Sequence, residues 1–254
     1  MAMSKPQLTK DYWLAALRTE GDAFRAALGS GTPIDAPVPS CPGWSLGDLA
    51  WHLHLVYSWV TGHVGRGVTG RPEERPQTPL PEGVDPVMAW TDAFTELVAT
   101  LDAVDPELAA WNWAPQAKKA GFWHRRMAHE TAVHRWDAQM AGGLTGPIEA
   151  KLASDGVTEV LDSWLPAGRR RGPVDRAGMI ALHATDVEQV WYVRLRGAGV
   201  ALLDTDTLLD TDDRHERATA SGPASDLVLA LYGRVPFDAL LATGDVTLLQ
   251  GLRV

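Results

Sequence analysis

Four stretches in the first 143 residues space their apolar side chains as helices do, and segments rich in Gly and Pro separate them. The pattern predicts helices over residues 7–28, 45–63, 86–101 and 120–140. Ser45 and Asp48 approximate a capping box at the start of the second helix, and Gly142-Gly143 ends the fourth. With two long connections, at 65–86 and 103–118, the pattern predicts an antiparallel four-helix bundle.

The pattern changes after a further helix near 149–165. The basic run AGRRRGP at 167–173 is typical of an exposed linker. Beyond it, GMIALHA, VWYVRLRG, ALLDT and ATASG predict short strands, and residues 225–232 predict a helix capped by Ser225. The Asp-rich run at 204–213 lacks the Gly and terminal Glu of an EF-hand and is expected to be a solvated hairpin. We therefore predict an α+β protein with a helical domain at 1–166 and a small α+β domain at 174–254.

Composition excludes several classes of function. The 254-residue chain has a formal net charge of −9, which disfavours binding to nucleic acid or to an anionic membrane. A single Cys cannot form an internal disulfide. The N-terminal residues lack the apolar stretch of a signal peptide, and no run approaches 18 apolar residues. We expect a soluble cytoplasmic protein, monomeric or homodimeric, without nucleic-acid or membrane partners.

The fourth predicted helix carries the strongest chemical signal. Glu130 and His134 lie four residues apart, on one helical face, and together can bind a divalent cation. His129 precedes His134 by five residues and points away from that face, which excludes the H-E-x-x-H pattern of zinc proteases. A third ligand must come from another helix, and His52 and His54 on the second helix face opposite ways. Because His52 lies at the edge of that helix's apolar stripe, it is favoured over His54.

Four segments together resemble the mycothiol-dependent maleylpyruvate isomerase family. They are CPGWSLGDLAWHL at 41–53, HETAVHRWD at 129–137, GLTGPIEAKLASDGVTEVL at 143–161, and DLVLALYGR at 226–234 with the later TGD. The resemblance implies a DinB-like four-helix metal-binding bundle followed by a small domain similar to sterol-carrier proteins. It also implies His52, Glu130 and His134 as ligands of a divalent metal, most plausibly Zn²⁺, and mycothiol as the thiol cofactor. Such a ligand set leaves one zinc position open.

Other residues near these motifs have two interpretations each. Asp137 could accept the N–H of ligand His134, or be a solvated carboxylate. Arg125 and Arg126 could bind a carboxylate of the substrate or cofactor, or face solvent. Arg234 resembles the family's Gly-Arg at the end of a Leu-rich segment, which implies a contact to a carboxylate or to the thiol. Cys41 lies in a tight turn, where a structural role is expected.

These residues predict an enzyme in which zinc activates mycothiol to add to an electrophilic small molecule, expected to carry a carboxylate. The product distinguishes an isomerase, which eliminates the thiol again, from an S-transferase, which releases the adduct. The alternative is a non-catalytic metal- or ligand-binding sensor. A fourth protein ligand, such as His54, would close the site and favour that alternative.

Overall fold

The computed structural model describes residues 8–203 and 216–254 and divides into two compact units. The first extends to Asn112 and resumes over Gln116–Gly146; the second comprises Trp113–Pro115 and the chain from Pro147 onward. This division lies earlier than the boundary at 166 expected from sequence, because the helix that begins at Ala150 packs within the second unit. The Asp-rich run predicted as a hairpin, and the first residue of the helix predicted at 7–28, lie outside the described residues.

The first unit contains the four predicted helices. They are α1 (Lys10–Leu28), α2 (Leu46–Val64), α3 (Pro86–Ala103) and α4 (Gly121–Ala141). The capping box of α2 is confirmed: Ser45 Oγ accepts the Asp48 N–H at 3.1 Å, and Asp48 Oδ2 accepts the Ser45 N–H at 2.9 Å. These caps satisfy backbone groups that would otherwise lack partners at the start of the helix.

The bundle core forms mainly where α1 packs against α4 and α2 against α3. Leu17 and Leu97 are fully buried, as is Trp90, whose ring stacks on Phe94. At Gly21 of α1, a Cβ atom would lie 2.0 Å from the Phe94 ring, so only glycine permits this approach between α1 and α3.

A long irregular segment, residues 65–85, connects α2 to α3 and lies against α2. The Trp51 indole N–H donates to the carbonyl of Thr78 at 2.9 Å, and the Trp59 indole N–H donates to the carbonyl of Glu73 at 2.8 Å. Two side chains of α2 therefore fix the backbone of this segment at two separate points.

The second unit is a five-stranded sheet with two helices. Its elements are α5 (Ala150–Glu159), a π-helical turn (Val160–Trp164), β1 (Ala177–Ala184), β2 (Gln189–Arg196), β3 (Gly199–Leu203), β4 (Arg217–Gly222), α6 (Ala224–Leu231), β5 (Leu241–Gly244), and 3₁₀ turns at Phe237–Ala239 and Val246–Leu252. The strand order is β3-β2-β1-β4-β5, with β1 and β4 parallel and the other pairs antiparallel. Three of the four predicted strands are confirmed, and the one predicted at ALLDT (201–205) is confirmed as far as Leu203, after which it lies outside the described residues. Helix α5 packs against α6.

Two details of the second unit differ from the sequence-based expectations. The basic run expected as an exposed linker is tied to the unit, since Arg170 donates to the Gly197 carbonyl at 2.9 Å and the Arg171 N–H donates to the Arg253 carbonyl at 2.9 Å. The predicted Ser225 cap of α6 is wrong. Ser225 lies inside the helix, and its Oγ accepts the N–H of Ile148 at 3.0 Å.

In the part of the chain that the structure describes, no helix combines the length and apolar character needed to cross a membrane.

Candidate metal centre

Helices α2 and α4 bring together the three residues predicted as metal ligands. Glu130 and His134 lie one turn apart on α4, and His52 faces them from α2. One donor atom from each residue lies within 4.8 Å of the other two. The imidazole rings of His52 and His134 have centroids 5.0 Å apart and are inclined by 72°. The structure thus supports the choice of His52 over His54.

The spacing of the donors fits a zinc ion. Glu130 Oε1 lies 3.3 Å from His52 Nε2 and 3.5 Å from His134 Nε2. Zinc bonds of about 2.0–2.1 Å at tetrahedral angles place two ligand atoms about 3.3–3.4 Å apart. Two imidazole nitrogens and one carboxylate oxygen are also a donor set that zinc accepts. The residues present therefore fit the metal that the resemblance implies.

Each of the two candidate ligands on α4 is held by a neighbour on the same helix. Arg126 donates to Glu130 Oε2 at 2.6 Å, so only Oε1 faces the two histidines. Asp137 is fully buried, and its Oδ2 accepts the Nδ1–H of His134 at 2.8 Å. That hydrogen bond fixes the tautomer of the ring and leaves Nε2 to bind a metal.

Cys41 extends this arrangement from the turn that precedes α2. Its thiol donates to Asp137 Oδ2 at 3.5 Å, the same oxygen that accepts from His134. The turn is the tight one expected, since the Trp44 N–H donates to the Cys41 carbonyl at 3.0 Å and Gly43 has φ of +86°. Trp44 in turn packs against the His52 ring, with centroids 4.9 Å apart.

The two candidate ligands on α4 have pKa values that are shifted in opposite directions. Burial raises the pKa of Glu130, but the Arg126 charge and hydrogen bonds with both histidines outweigh burial and hold that pKa well below its usual range. Burial lowers the pKa of His134, but hydrogen bonds with Asp137, Cys41 and Glu130 raise it well above the usual value. Without metal, Glu130 is therefore a carboxylate beside a protonated His134.

His52 is shifted in the opposite direction. Burial lowers the pKa of His52, and the hydrogen bond with Glu130 opposes burial without overcoming it. The charges of His134 and of Arg75 lower this pKa further. His52 is thus held neutral, which is the protonation state that a metal ligand requires.

The other two histidines considered from sequence lie outside the cluster. His54 Nδ1 lies 3.0 Å from the Ala89 carbonyl, and its ring stacks on Trp51 at 4.5 Å. His129 is buried, and its ring packs edge-on against Trp13 at 5.5 Å. The prediction that His129 points away from the ligand face is confirmed.

The predicted arginine contacts have different positions. Arg126 is buried and bound to Glu130. Arg125 is half-buried on α4 and lies five residues before Glu130, about 140° around the helix. Arg234 follows α6 in the second unit, where its guanidinium donates to the Tyr232 carbonyl at 2.9 Å. The assignment of Arg125 and Arg234 as carboxylate contacts stays a prediction.

Sequence reasoning missed Arg75, which lies in the 65–85 segment. Its charge lowers the pKa of His52. One signal could have pointed to this segment: structureless connections longer than about 12–15 residues inside a compact domain are uncommon and often functional.

The helical bundle with its two-histidine, one-carboxylate cluster, followed by a small sheet unit, defines an α+β protein of the DinB-like class. The family model of the mycothiol maleylpyruvate isomerase N-terminal domain matches residues 14–139, and that of the MDMPI C-terminal domain matches residues 151–251. The chain therefore belongs to the mycothiol-dependent maleylpyruvate isomerase family, as its sequence motifs predict.

Solved structures agree with this assignment at the level of the fold. The chain is similar to the crystal structure of the mycothiol-dependent maleylpyruvate isomerase, with a TM-score of 0.61, 14% identity and 93% of each chain covered. It is similar to a histidine-to-alanine mutant of that enzyme with a TM-score of 0.61, 13% identity and the same coverage. No protein with a curated functional description matches the chain.

Proposed function

We propose that this chain is a metal-dependent enzyme that uses mycothiol to attack an electrophilic, carboxylate-bearing small molecule. The observation that carries the proposal is the spacing of His52 Nε2, Glu130 Oε1 and His134 Nε2, which fits three ligands of one zinc ion. Zinc at these three donors would keep one coordination position open and favour ionisation of a thiol placed there.

The chain's own residues prepare the donors for this role. Asp137 holds the Nδ1 proton of His134, which aims Nε2 at the other donors. A metal would bind there as Nε2 gives up its own proton. Arg126 occupies Glu130 Oε2 and thereby restricts Glu130 to a single donor oxygen. Because both partners are buried, the donor positions are set before any metal arrives.

Two reactions are compatible with this donor set. In an isomerase, the thiol adds to a cis double bond, the new single bond rotates, and elimination returns the thiol and a trans product. In an S-transferase, the thiol adduct is released. We place the isomerase first because the two matching family models describe maleylpyruvate isomerase domains.

A non-catalytic sensor is the second candidate from sequence. A sensor of this kind would close its metal site with a fourth protein ligand. His54 is the residue proposed for that role, but its Nδ1 lies 3.0 Å from the backbone carbonyl of Ala89 instead. The three-donor group on α2 and α4 therefore supports the enzyme over the sensor.

Metal analysis of single variants tests the first step. We expect wild-type protein to bind one equivalent of zinc, and His52→Ala and Glu130→Ala to lose it. His54→Ala is the matched control, two residues from His52 on the same helix, and should keep full zinc content. Full zinc occupancy in both ligand variants would refute the metal site.

Turnover tests the reaction. Zinc-loaded protein mixed with mycothiol and maleylpyruvate should form the trans isomer, and glutathione should replace mycothiol poorly. Absence of isomerisation would remove the isomerase and leave the S-transferase, which is tested by looking for a thiol adduct with an electrophile by mass spectrometry. Absence of both products would refute the enzyme.

A further inference from the structure

The His52–Glu130–His134 group has a buried arginine beside it, and that arginine already binds Glu130. Arg126 is 3% exposed, and its guanidinium is engaged with Glu130 Oε2 at 2.6 Å. To bind a substrate carboxylate, Arg126 would have to release Glu130 and disturb the donor set. An acidic substrate therefore needs a different cation near the cluster.

Arg75 in the 65–85 segment has the properties of that cation. It is half-buried, and in residues 8–203 and 216–254 it has no hydrogen-bond or ion-pair partner. Three residues after it, the Thr78 carbonyl accepts the indole N–H of Trp51, the residue that directly precedes His52 on α2. Consistent with that placement, the Arg75 charge lowers the pKa of His52. Arg71, in the same segment, is exposed and pairs with Glu74 at 3.0 Å.

The backbone around Arg75 is held in place. Trp59 binds the carbonyl of Glu73 on one side of it, and Trp51 binds the carbonyl of Thr78 on the other. Both indoles belong to α2, the helix that carries His52. Pro72 and Pro76 further restrict the backbone. Because this backbone is already held, anion binding by Arg75 would have to order only its side chain.

We propose that Arg75 binds the carboxylate of the acidic substrate beside the His52–Glu130–His134 cluster. The guanidinium can make two parallel hydrogen bonds to a carboxylate, and its half-buried position strengthens them relative to a solvated pair. The inference rests on the proposed function for the reaction that follows, but anion binding by Arg75 is testable without turnover.

The test uses maleate, a small cis-dicarboxylate, titrated into zinc-loaded protein by isothermal calorimetry. Arg75→Gln should weaken maleate binding about ten- to a hundredfold, the range expected for hydrogen bonds to a charged group. Arg75→Lys should recover part of the loss, because lysine keeps the charge but not the fork of donors. Zinc affinity should not fall in either variant.

Arg71→Gln is the matched control, since it removes the same charge from the same segment and should leave maleate affinity unchanged. Maleamide, a neutral isostere of maleate, should bind equally to wild type and Arg75→Gln. Three results would each overturn the inference: equal maleate affinity in wild type and Arg75→Gln, an equal loss in Arg71→Gln, or no maleate binding by wild type. Failure of turnover with an intact dependence of maleate binding on Arg75 would refute the proposed function alone.

Discussion

Asp137 is the residue on which the orientation of His134 depends. It is fully buried, and its Oδ2 accepts hydrogen bonds from His134 Nδ1 and from the Cys41 thiol. A buried carboxylate behind a ligand histidine raises the basicity of the ring and limits its rotation.

We predict that Asp137→Asn binds zinc about 10–100-fold more weakly than wild type, because the amide keeps an acceptor oxygen but loses the charge. Competition with a chromophoric chelator measures the affinity. Asp92→Asn, an exposed change on α3, should bind zinc as wild type does. Unchanged affinity in Asp137→Asn would show that the carboxylate does not support the ligand.

The raised pKa of His134 predicts how the stability of metal-free protein depends on pH. The folded chain holds this proton more tightly than the unfolded chain, so the stabilisation is complete below the ordinary histidine pKa of about 6.5. It is lost as pH rises through the higher pKa of the folded state. The difference in free energy of unfolding between wild type and His134→Gln should thus be larger at pH 6 than at pH 9, measured in urea with a chelator. A difference that grows with pH would contradict this sign.

The donor residues were predictable, and their partners only in part. Glu130 and His134 lie four residues apart, and residues four apart on a helix share one face. The apolar stripe of α2 favoured His52 over His54. Helical spacing places Arg126, four residues before Glu130, on the same face, but sequence could not show that this arginine would be buried against Glu130 rather than solvated. Arg75 was missed because its location depends on hydrogen bonds between α2 and an irregular segment, which have no periodic pattern.

Among the elements, α3 and α4 are joined by a buried histidine. His124 Nε2 lies 2.8 Å from the Leu101 carbonyl in the last turns of α3, and its Nδ1 lies 3.0 Å from the Ala120 carbonyl before α4. We predict that His124→Leu destabilises the metal-free protein by about 1–3 kcal/mol, because the buried Leu101 carbonyl loses its imidazole partner. The Ala120 carbonyl still accepts the backbone N–H groups of Trp123 and of residue 124. Urea unfolding measures the loss.

His54→Leu is the control for that prediction. His54 also meets one carbonyl but is only half-buried, so water can replace it and the loss should be smaller. Equal stability of His124→Leu and wild type would show that the two contacts do not contribute.

The 65–85 segment is a second element whose behaviour can be measured. Phenylalanine at positions 51 and 59 would keep the rings and remove the indole donors that bind the Thr78 and Glu73 carbonyls. In the double variant Trp51→Phe/Trp59→Phe we expect faster cleavage within 65–85 by a protease of broad specificity under native conditions, because the backbone of the segment is no longer held. Cleavage within α4 should stay as in wild type. Trp13→Phe on α1 is the control, and an unchanged cleavage rate in the segment would contradict its attachment by the indoles.

The elements that sequence predicted well are those with a buried face. Buried positions recur along one face of α2 and alternate in β2 and β4, and the apolar pattern follows this burial. Strand β1 is buried over most of its length. Strand β5 was not predicted because its four residues lie largely exposed at the sheet edge and carry no such pattern. The π-helical turn after α5 ends with a hydrogen bond from the Leu165 N–H to the Val160 carbonyl, a five-residue spacing that the sequence does not indicate.

At the scale of the whole molecule, the boundary at Gly146 seen in the structure and the boundary at 166 expected from sequence predict different behaviour for truncated chains. A chain ending at Gly146 keeps α1 to α4 and all three donors, so it should bind one equivalent of zinc. A chain ending at residue 166 also carries α5, whose Leu152 and Val157 would lose their packing against α6. We expect this longer chain to bind a hydrophobic dye and to aggregate more, as judged by size-exclusion chromatography. Better behaviour of the longer chain would instead favour the boundary at 166.

The donor set, together with Arg126 and Asp137, is confined to α2 and α4. The geometry of the three donors is therefore set within two helices. Under the proposed function, the acceptor molecule could change through other surfaces while these donors stay in place.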